Sequence, residues 1–153
     1  GQDARIERLI RFSADSLGIG RPMSNLLLSP SARLFKHLPA LQRVTGHKAA
    51  FVPAVDFLDR VNIVEVQPQA PVQVFQLGFA AHKRMAVNGV EVDSQNPGAR
   101  YELGLRGDML DLYLGLFPRI ELIEDFELLM HPRLSLHDLD LEAWRNCALN
   151  VVA

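Results

Sequence analysis

The sequence predicts a mainly β domain of short strands and hairpins, with helices added near the carboxy terminus. Three observations predict it. A short apolar run at 25–28 is closed by the turn dipeptide Ser29-Pro30, residues 63–66 alternate in strand fashion, and Asn88-Gly89 separates two apolar stretches. Short strands bounded by turn residues are typical of all-β folds.

Composition excludes several functional classes. The chain has 153 residues, of which 48% are hydrophobic and 22% charged, so it can bury a core without help from a disulfide or metal. Its net charge of -2 does not favour nucleic acid or an anionic membrane. No apolar run approaches the roughly 18 residues of a membrane span. The sequence therefore predicts no cofactor, metal, nucleic acid or membrane partner.

The amino-terminal half predicts a series of short strands. Arg8–Phe12 has a strand-like end, and the run Asn25–Leu28 is expected to be a buried strand that ends at Ser29-Pro30. The predicted strands that follow are one through Leu34 and Phe35, one over Phe51–Leu58 and one over Ile63–Val66.

Residues 71–94 predict two further strands and a hairpin. Apolar side chains at Val72, Val74, Leu77 and Phe79 favour an extended strand with a slip in the alternation near Phe75. Beyond it, residues 85–87 and 90–92 flank Asn-Gly, which supplies the positive φ angles of a two-residue turn. This is the strongest hairpin signal in the chain.

After Asn96-Pro97-Gly98 the pattern becomes helical. A dense apolar cluster over 109–117 predicts a helix that ends before Pro118, and a second helix is expected from Asp140 to Leu149. Cys147 falls on that second helix, where a small apolar role is expected. The chain is thus divided into a β domain over 1–118 and a helical extension over 119–153 packed on it.

Two stretches together resemble a known family. LGIGRPMSNLLLSPSARLF is similar to the family segment in which an aliphatic strand ends in Ser-Pro-x-His-Arg. VQVFQLGFAAHKRMAVNGVEVDSQNPG is similar to the closing hairpin with a His before Asn-Gly and an acidic-Ser-x-x-Pro-Gly tail. Over Arg8–Phe117 the chain resembles the carboxy-terminal part of the bacterial hedgehog/intein (Hint) domains, which implies the β-rich Hint fold.

The resemblance implies a chemistry that this chain only partly matches. Hint self-processing starts when a Cys, Ser or Thr attacks the preceding peptide bond, and it needs a base and donors for the oxyanion. Ser29 matches the hydroxyl of the family's Ser/Thr-x-x-His motif, but Ala32 occupies the His position. Neither Gly1 nor Gln2 is a nucleophile, and a segment resembling the opening strands is absent.

The hairpin carries the other matching positions. His82 matches the family His six residues before the Asn of the turn, and histidine is a side chain that can move a proton. Asp93 and Ser94 stand where splicing members have His-Asn, and neither can cyclise as Asn does. The candidate catalytic residues are therefore His82, Ser29 and Asp93, with an exposed His82 and a simple turn at Ser29 as the alternatives. The remaining histidines are expected to be exposed: His37, His47, His131 and His137.

The sequence is compatible with three functional hypotheses. We prefer a degenerate Hint domain that has lost self-cleavage and serves as a binding or structural module, with the rest of its own polypeptide as the candidate partner. The alternative is an autoprocessing domain whose nucleophile lies upstream. An unrelated hydrolase using Ser29, His82 and Asp93 is disfavoured because no Gly-x-Ser-x-Gly elbow is present. Oligomeric state and localisation stay open.

Overall fold

The computed structural model describes residues 8–42, 46–79, 81–97, 104–117 and 119–137. Within these ranges seven strands form two antiparallel sheets, accompanied by one short α-helix and three 3-10 turns. The strands are β1 (Leu9–Phe12), β2 (Leu26–Leu28), β3 (Arg33–His37), β4 (Ala49–Pro53), β5 (Ile63–Val66), β6 (Arg84–Val87) and β7 (Val90–Asp93). The helix is α1 (Asp108–Leu114), and the 3-10 turns are Pro39–Leu41, Ala54–Phe57 and Ile123–Asp125. The mainly β prediction is confirmed.

The smaller sheet has the order β2-β1-β5 and confirms three predicted strands. In its central strand, Ile10 lies opposite Leu28 on one side and Glu65 on the other. Ile10 and Phe12 have no exposed surface and pack with Leu34 of the other sheet. The strand-like pattern over Arg8–Phe12 therefore reflects the central strand of a sheet that faces a shared core.

The larger sheet has the order β4-β3-β7-β6. Its last two strands are the hairpin predicted at Asn88-Gly89, and these two residues have φ angles of 51° and 81°. Both angles lie in the left-handed region, as a type I′ turn requires. The turn places β7 beside β3, where Leu34 lies opposite Val92, and this pairing brings Asp93 to the interior.

Strand β4 is buried and is covered on its outer edge by a carboxy-terminal segment. The Phe51 N–H donates to the Pro132 carbonyl at 2.9 Å, and the Leu134 N–H donates to the Phe51 carbonyl at 3.0 Å. These bonds make a parallel bridge between Phe51 and Arg133. We call residues Leu129–Leu136 the strap, because they cross the edge of this sheet.

The strand predicted over Phe51–Leu58 is correct only as far as Pro53. From Ala54 the chain makes a 3-10 turn, and the Ala54 N–H donates to the Ala32 carbonyl at 2.7 Å. The backbone of this turn is therefore paired with the loop after β2 rather than with a neighbouring strand.

The strand predicted through Val72 to Phe79 is wrong. The segment forms a single bridge, between Gly78 and Gln95, and every residue from Pro71 to Phe79 is exposed. Pro68 and Pro71 each lack the N–H that a ladder needs, and neither face of the segment is buried. Its alternating apolar residues therefore have no sheet to join.

The predicted helix before Pro118 is confirmed as α1, which ends at Leu114. Leu114 packs in a separate apolar cluster with Ile120, Ile123 and Phe126. Residues 119–137 contain one 3-10 turn, and the expected helix from Asp140 to Leu149, with Cys147, lies outside the described residues. Among the helices that can be described, none has the length and apolar character needed to cross a membrane.

Candidate functional site

His82 lies just before β6 and is only 2% exposed, so the alternative of an exposed hairpin histidine is wrong. Its ring meets the ring of Phe51 edge to face, with 5.1 Å between centroids. Its Nε2 atom is hydrogen bonded to Oδ1 of Asp93, at the end of β7. The hairpin thus brings together two of the three candidate residues.

The second nitrogen of His82 is also occupied. The Met130 N–H of the strap donates to His82 Nδ1 at 2.8 Å. Because Nδ1 accepts this bond, it carries no proton, and the ring proton belongs to Nε2, which donates to Asp93. The surroundings therefore fix His82 as a neutral ring in one tautomer.

Asp93 is a buried carboxylate with a second partner. Its side chain is 5% exposed, and its Oδ2 accepts a hydrogen bond from Arg133 Nε at 2.9 Å. The Arg133 guanidinium also donates to the Asn96 carbonyl at 3.0 Å. The strap thereby supplies a positive charge to a carboxylate that would otherwise be costly to bury.

Two buried polar residues that follow Asp93, namely Ser94 and Asn96, bind backbone groups. Ser94 Oγ accepts from the Lys83 N–H at 2.9 Å, while the Ser94 N–H donates to the Lys83 carbonyl at 3.0 Å. The Asn96 amide donates to the Glu127 carbonyl at 3.2 Å. These bonds hold the ends of the hairpin on either side of His82 and Asp93.

Ser29, the third candidate, belongs to a separate local turn. Its Oγ accepts a hydrogen bond from the Ala32 N–H at 3.2 Å and lies 3.5 Å from Ser31 Oγ. The same N–H lies 3.1 Å from the Ser29 carbonyl oxygen. The hydroxyl therefore closes the turn after β2. The methyl group of Ala32 can neither accept nor donate a proton.

A cavity of about 660 Å³ connects the two regions. Its walls come from β2, the turn after it, the segment 72–77 and the hairpin, and its polar lining residues include Ser29, Asp93, Ser94 and Arg133. The lining includes Asp93 but not His82. A molecule in this cavity would therefore meet a carboxylate already bound to Arg133 and the turn hydroxyl, within a lining that mixes apolar and polar side chains.

The other histidines differ in exposure. His37, His47 and His137 are exposed, as expected, but His131 of the strap is half-buried. Its ring lies 4.9 Å from Phe35 and 6.0 Å from Phe51, centroid to centroid. Burial, and then the nearby positive charges, lower the pKa of His131 below its usual 6.5. The described residues contain no group of three or more His, Cys, Asp or Glu side chains arranged to hold a metal ion.

The sequence identified His82 and Asp93 but not Met130 or Arg133. The hairpin brings the first two together locally, whereas Met130 is 48 residues from His82 along the chain. Strap residues 129–134 carry no turn signal that points to β4, and the contact with His82 uses a backbone N–H that every residue except proline has. No local signal in the sequence predicts this part of the site.

Comparison with known proteins gives one match. A family model described as Hint domain matches residues 2–99, which is more than half of the chain. The matched range contains both the turn at Ser29 and the His82–Asp93 pair, and it ends before the strap. No curated protein and no solved structure matches the chain.

Proposed function

The chain belongs to the Hint domain family, and we propose that it is a member that does not cleave itself and serves as a binding or structural module of a larger protein. The observation that carries this proposal is the enclosure of His82. Both of its ring nitrogens are engaged, one by Asp93 and one by the Met130 N–H. A general base needs a nitrogen that can reach the reacting proton, and this ring offers none to the cavity.

The turn at Ser29 supports the same proposal. Losing a residue that moves a proton or stabilises an oxyanion typically slows a reaction by a factor of about 100 or more. Ala32 stands where the family has its His, and the Ser29 hydroxyl is used to close the turn. Because Ala32 replaces the histidine and the ring of His82 is engaged, two separate requirements of the self-cleavage reaction are unmet.

The cavity is the proposed binding site, and an extended peptide from the rest of the polypeptide is the proposed occupant. One wall is β2, which lies at the edge of its sheet, and another is the extended segment 72–77. An edge strand can pair with an added strand through its backbone, while alternate side chains enter apolar pockets. The volume of about 660 Å³ falls in the usual range of ligand pockets.

Intact mass spectrometry of the natural full-length polypeptide tests the loss of self-cleavage. The protein is incubated at neutral pH alone, with a thiol and with hydroxylamine, since these nucleophiles release thioesters and oxygen esters. We expect one unchanged mass in all three conditions. Two fragments that grow with either nucleophile would instead establish the autoprocessing alternative.

Hydrogen exchange tests the proposed occupant of the cavity. Exchange at Leu26–Leu28 and at residues 72–77 is compared between the natural full-length polypeptide and the 153-residue chain alone. A bound peptide strand should slow exchange at both walls, with β5 as the internal reference. Equal exchange in the two proteins would contradict binding of the parent polypeptide in the cavity.

A further inference from the structure

The strap contacts one atom of each member of the His82–Asp93 pair, and these two atoms determine the charge of the pair. The Met130 N–H occupies His82 Nδ1 at 2.8 Å, and Arg133 Nε occupies Asp93 Oδ2 at 2.9 Å. Since Nε2 already carries the ring proton, Nδ1 is the only place where His82 can take up a second one. The strap and a proton therefore require the same atom.

A second proton on His82 opposes both strap contacts. It converts Nδ1 from an acceptor into a donor, which then faces the Met130 N–H, and two donors cannot share a hydrogen bond. It also makes the ring a cation beside Asp93, so that the carboxylate no longer depends on Arg133 for a positive partner. In acid, His82 replaces the strap as the charge partner of Asp93.

His131 adds to this effect from the strap itself. Its pKa is lowered by burial and by nearby positive charges when the strap is docked. A group with a lowered basic pKa binds its proton better in the released state. The stability that His131 gives to docking is therefore complete above its usual pKa of 6.5 and declines as the pH falls below that value.

Other charged groups around the strap also oppose its docking when the strap is protonated. The exception is the carboxy-terminal end of the strap. Arg84 of β6, His37 of β3 and His47 before β4 all lower the pKa of His131, so each is close enough to repel a protonated strap. At the far end, Asp56 accepts bonds from Ser135 Oγ and the Leu136 N–H, and it lies 3.7 Å from His137 Nε2. This end of the strap is held by Asp56 and not by the His82–Asp93 pair.

We propose that the strap and a proton compete for the His82–Asp93 pair, so that mild acid releases the strap from β4 and opens the part of the cavity wall that Arg133 forms. Release begins at Met130, while Asp56 keeps the end of the strap attached. Arg133 lines the cavity in the docked state and leaves it on release. The effect on peptide binding rests on the function proposed above, but release itself is measured without a ligand, so the two can fail separately.

Hydrogen exchange as a function of pH tests the release directly. Protection factors, corrected for the intrinsic pH dependence of exchange, are measured for the amides of Phe51, Met130 and Leu134 between pH 8 and pH 5. We expect protection to fall roughly tenfold per pH unit for each proton taken up, beginning near pH 6.5. The amides of β1 and β5 are the reference and should keep their protection.

Three variants identify the groups responsible. His82→Asn keeps an oxygen that can accept the Met130 N–H but cannot be protonated, and His131→Phe keeps a ring between Phe35 and Phe51. Each of these two variants should make the protection of the strap amides depend less steeply on pH. The matched control is His137→Asn, at a side chain that is 81% exposed, which should leave protection at Met130 on the wild-type curve.

Two results overturn the proposal. One is strap protection that stays constant from pH 8 to pH 5 in the wild-type protein. The other is a wild-type slope in the folded His82→Asn variant. If His82→Asn does not fold, the ring ¹⁵N signals of His82 in the wild-type protein decide over the same pH range. Strap protection that falls while Nδ1 stays unprotonated contradicts the competition, and protection that falls together with protonation of Nδ1 supports it.

Discussion

The turn Ser29–Ala32 and the pair His82–Asp93 are held in place by different kinds of bonds. The turn is held by bonds between residues three apart, and its hydroxyl closes the loop after β2. The pair is buried and is completed by Met130 and Arg133, which come from beyond the region that matches the family. Local bonds therefore hold the turn, whereas the tertiary fold holds the pair.

The turn and the pair should therefore contribute different amounts to the free energy of unfolding. A hydrogen bond at a partly buried turn can be replaced by water, so its loss costs little. A buried carboxylate with one neutral and one cationic partner has no such substitute. We therefore expect the hairpin pair to control the stability of the domain and the turn to have a minor effect.

Asp93→Ala should have the largest effect. It removes the acceptor of the His82 Nε2–H and the counter-charge of the Arg133 guanidinium, which leaves a ring N–H without its acceptor and a cation without its carboxylate at a buried site. We expect a loss of about 3–5 kcal/mol in the free energy of unfolding, measured by urea denaturation. Glu91→Ala on the same strand is the control, because its ion pair with Arg84 is exposed and should contribute less than about 1 kcal/mol. Equal losses in the two variants would contradict the comparison.

Arg133→Met should have an intermediate effect. The apolar stem of the side chain is kept, but Asp93 loses its cation, and we expect a loss of about 2 kcal/mol. A double-mutant cycle with Asp93→Ala separates the direct interaction from other effects, and it should give a coupling energy in the range of about 0.5–3 kcal/mol. Additive losses would mean that the two side chains do not depend on each other.

Ser29→Ala should have a small effect, about 0.5–1 kcal/mol, because it removes one hydrogen bond at the turn. Thermal denaturation can measure this loss beside Ser31→Ala, whose exposed side chain is the matched control and should change stability less. A loss as large as that of Asp93→Ala would show that the turn is not a local feature.

Ala32→His should give no gain of activity in the 153-residue chain. The variant supplies the side chain that the resemblance implies at this position, but both ring nitrogens of His82 are already engaged, so that ring cannot serve as the base. We expect a single intact mass after incubation with a thiol or hydroxylamine, as for the parent chain. Fragments formed in this variant would show that the missing histidine was the only barrier.

The same contrast between local and long-range bonds explains how far the sequence could predict the molecule. The Asn88-Gly89 turn depends on two adjacent residues, and the pattern predicts it. Val72–Phe79 has a comparable alternation, yet it is exposed and makes one bridge, because strand formation also requires a partner edge. His82 and Asp93 were found through the hairpin, but their burial depends on a strap 40 or more residues away.

The tautomer of His82 is the most direct test of the claim that this histidine is structural. Long-range ¹H–¹⁵N correlation spectra of the ¹⁵N-labelled chain at pH 7.5 distinguish the protonated from the unprotonated ring nitrogen, and His82→Asn identifies the signal. We predict a protonated Nε2 with a slowly exchanging proton and an unprotonated Nδ1 for His82, while exposed His37 shows averaged tautomers. A His82 signal that is averaged like that of His37 would mean that the ring is free to move protons, and it would contradict the account.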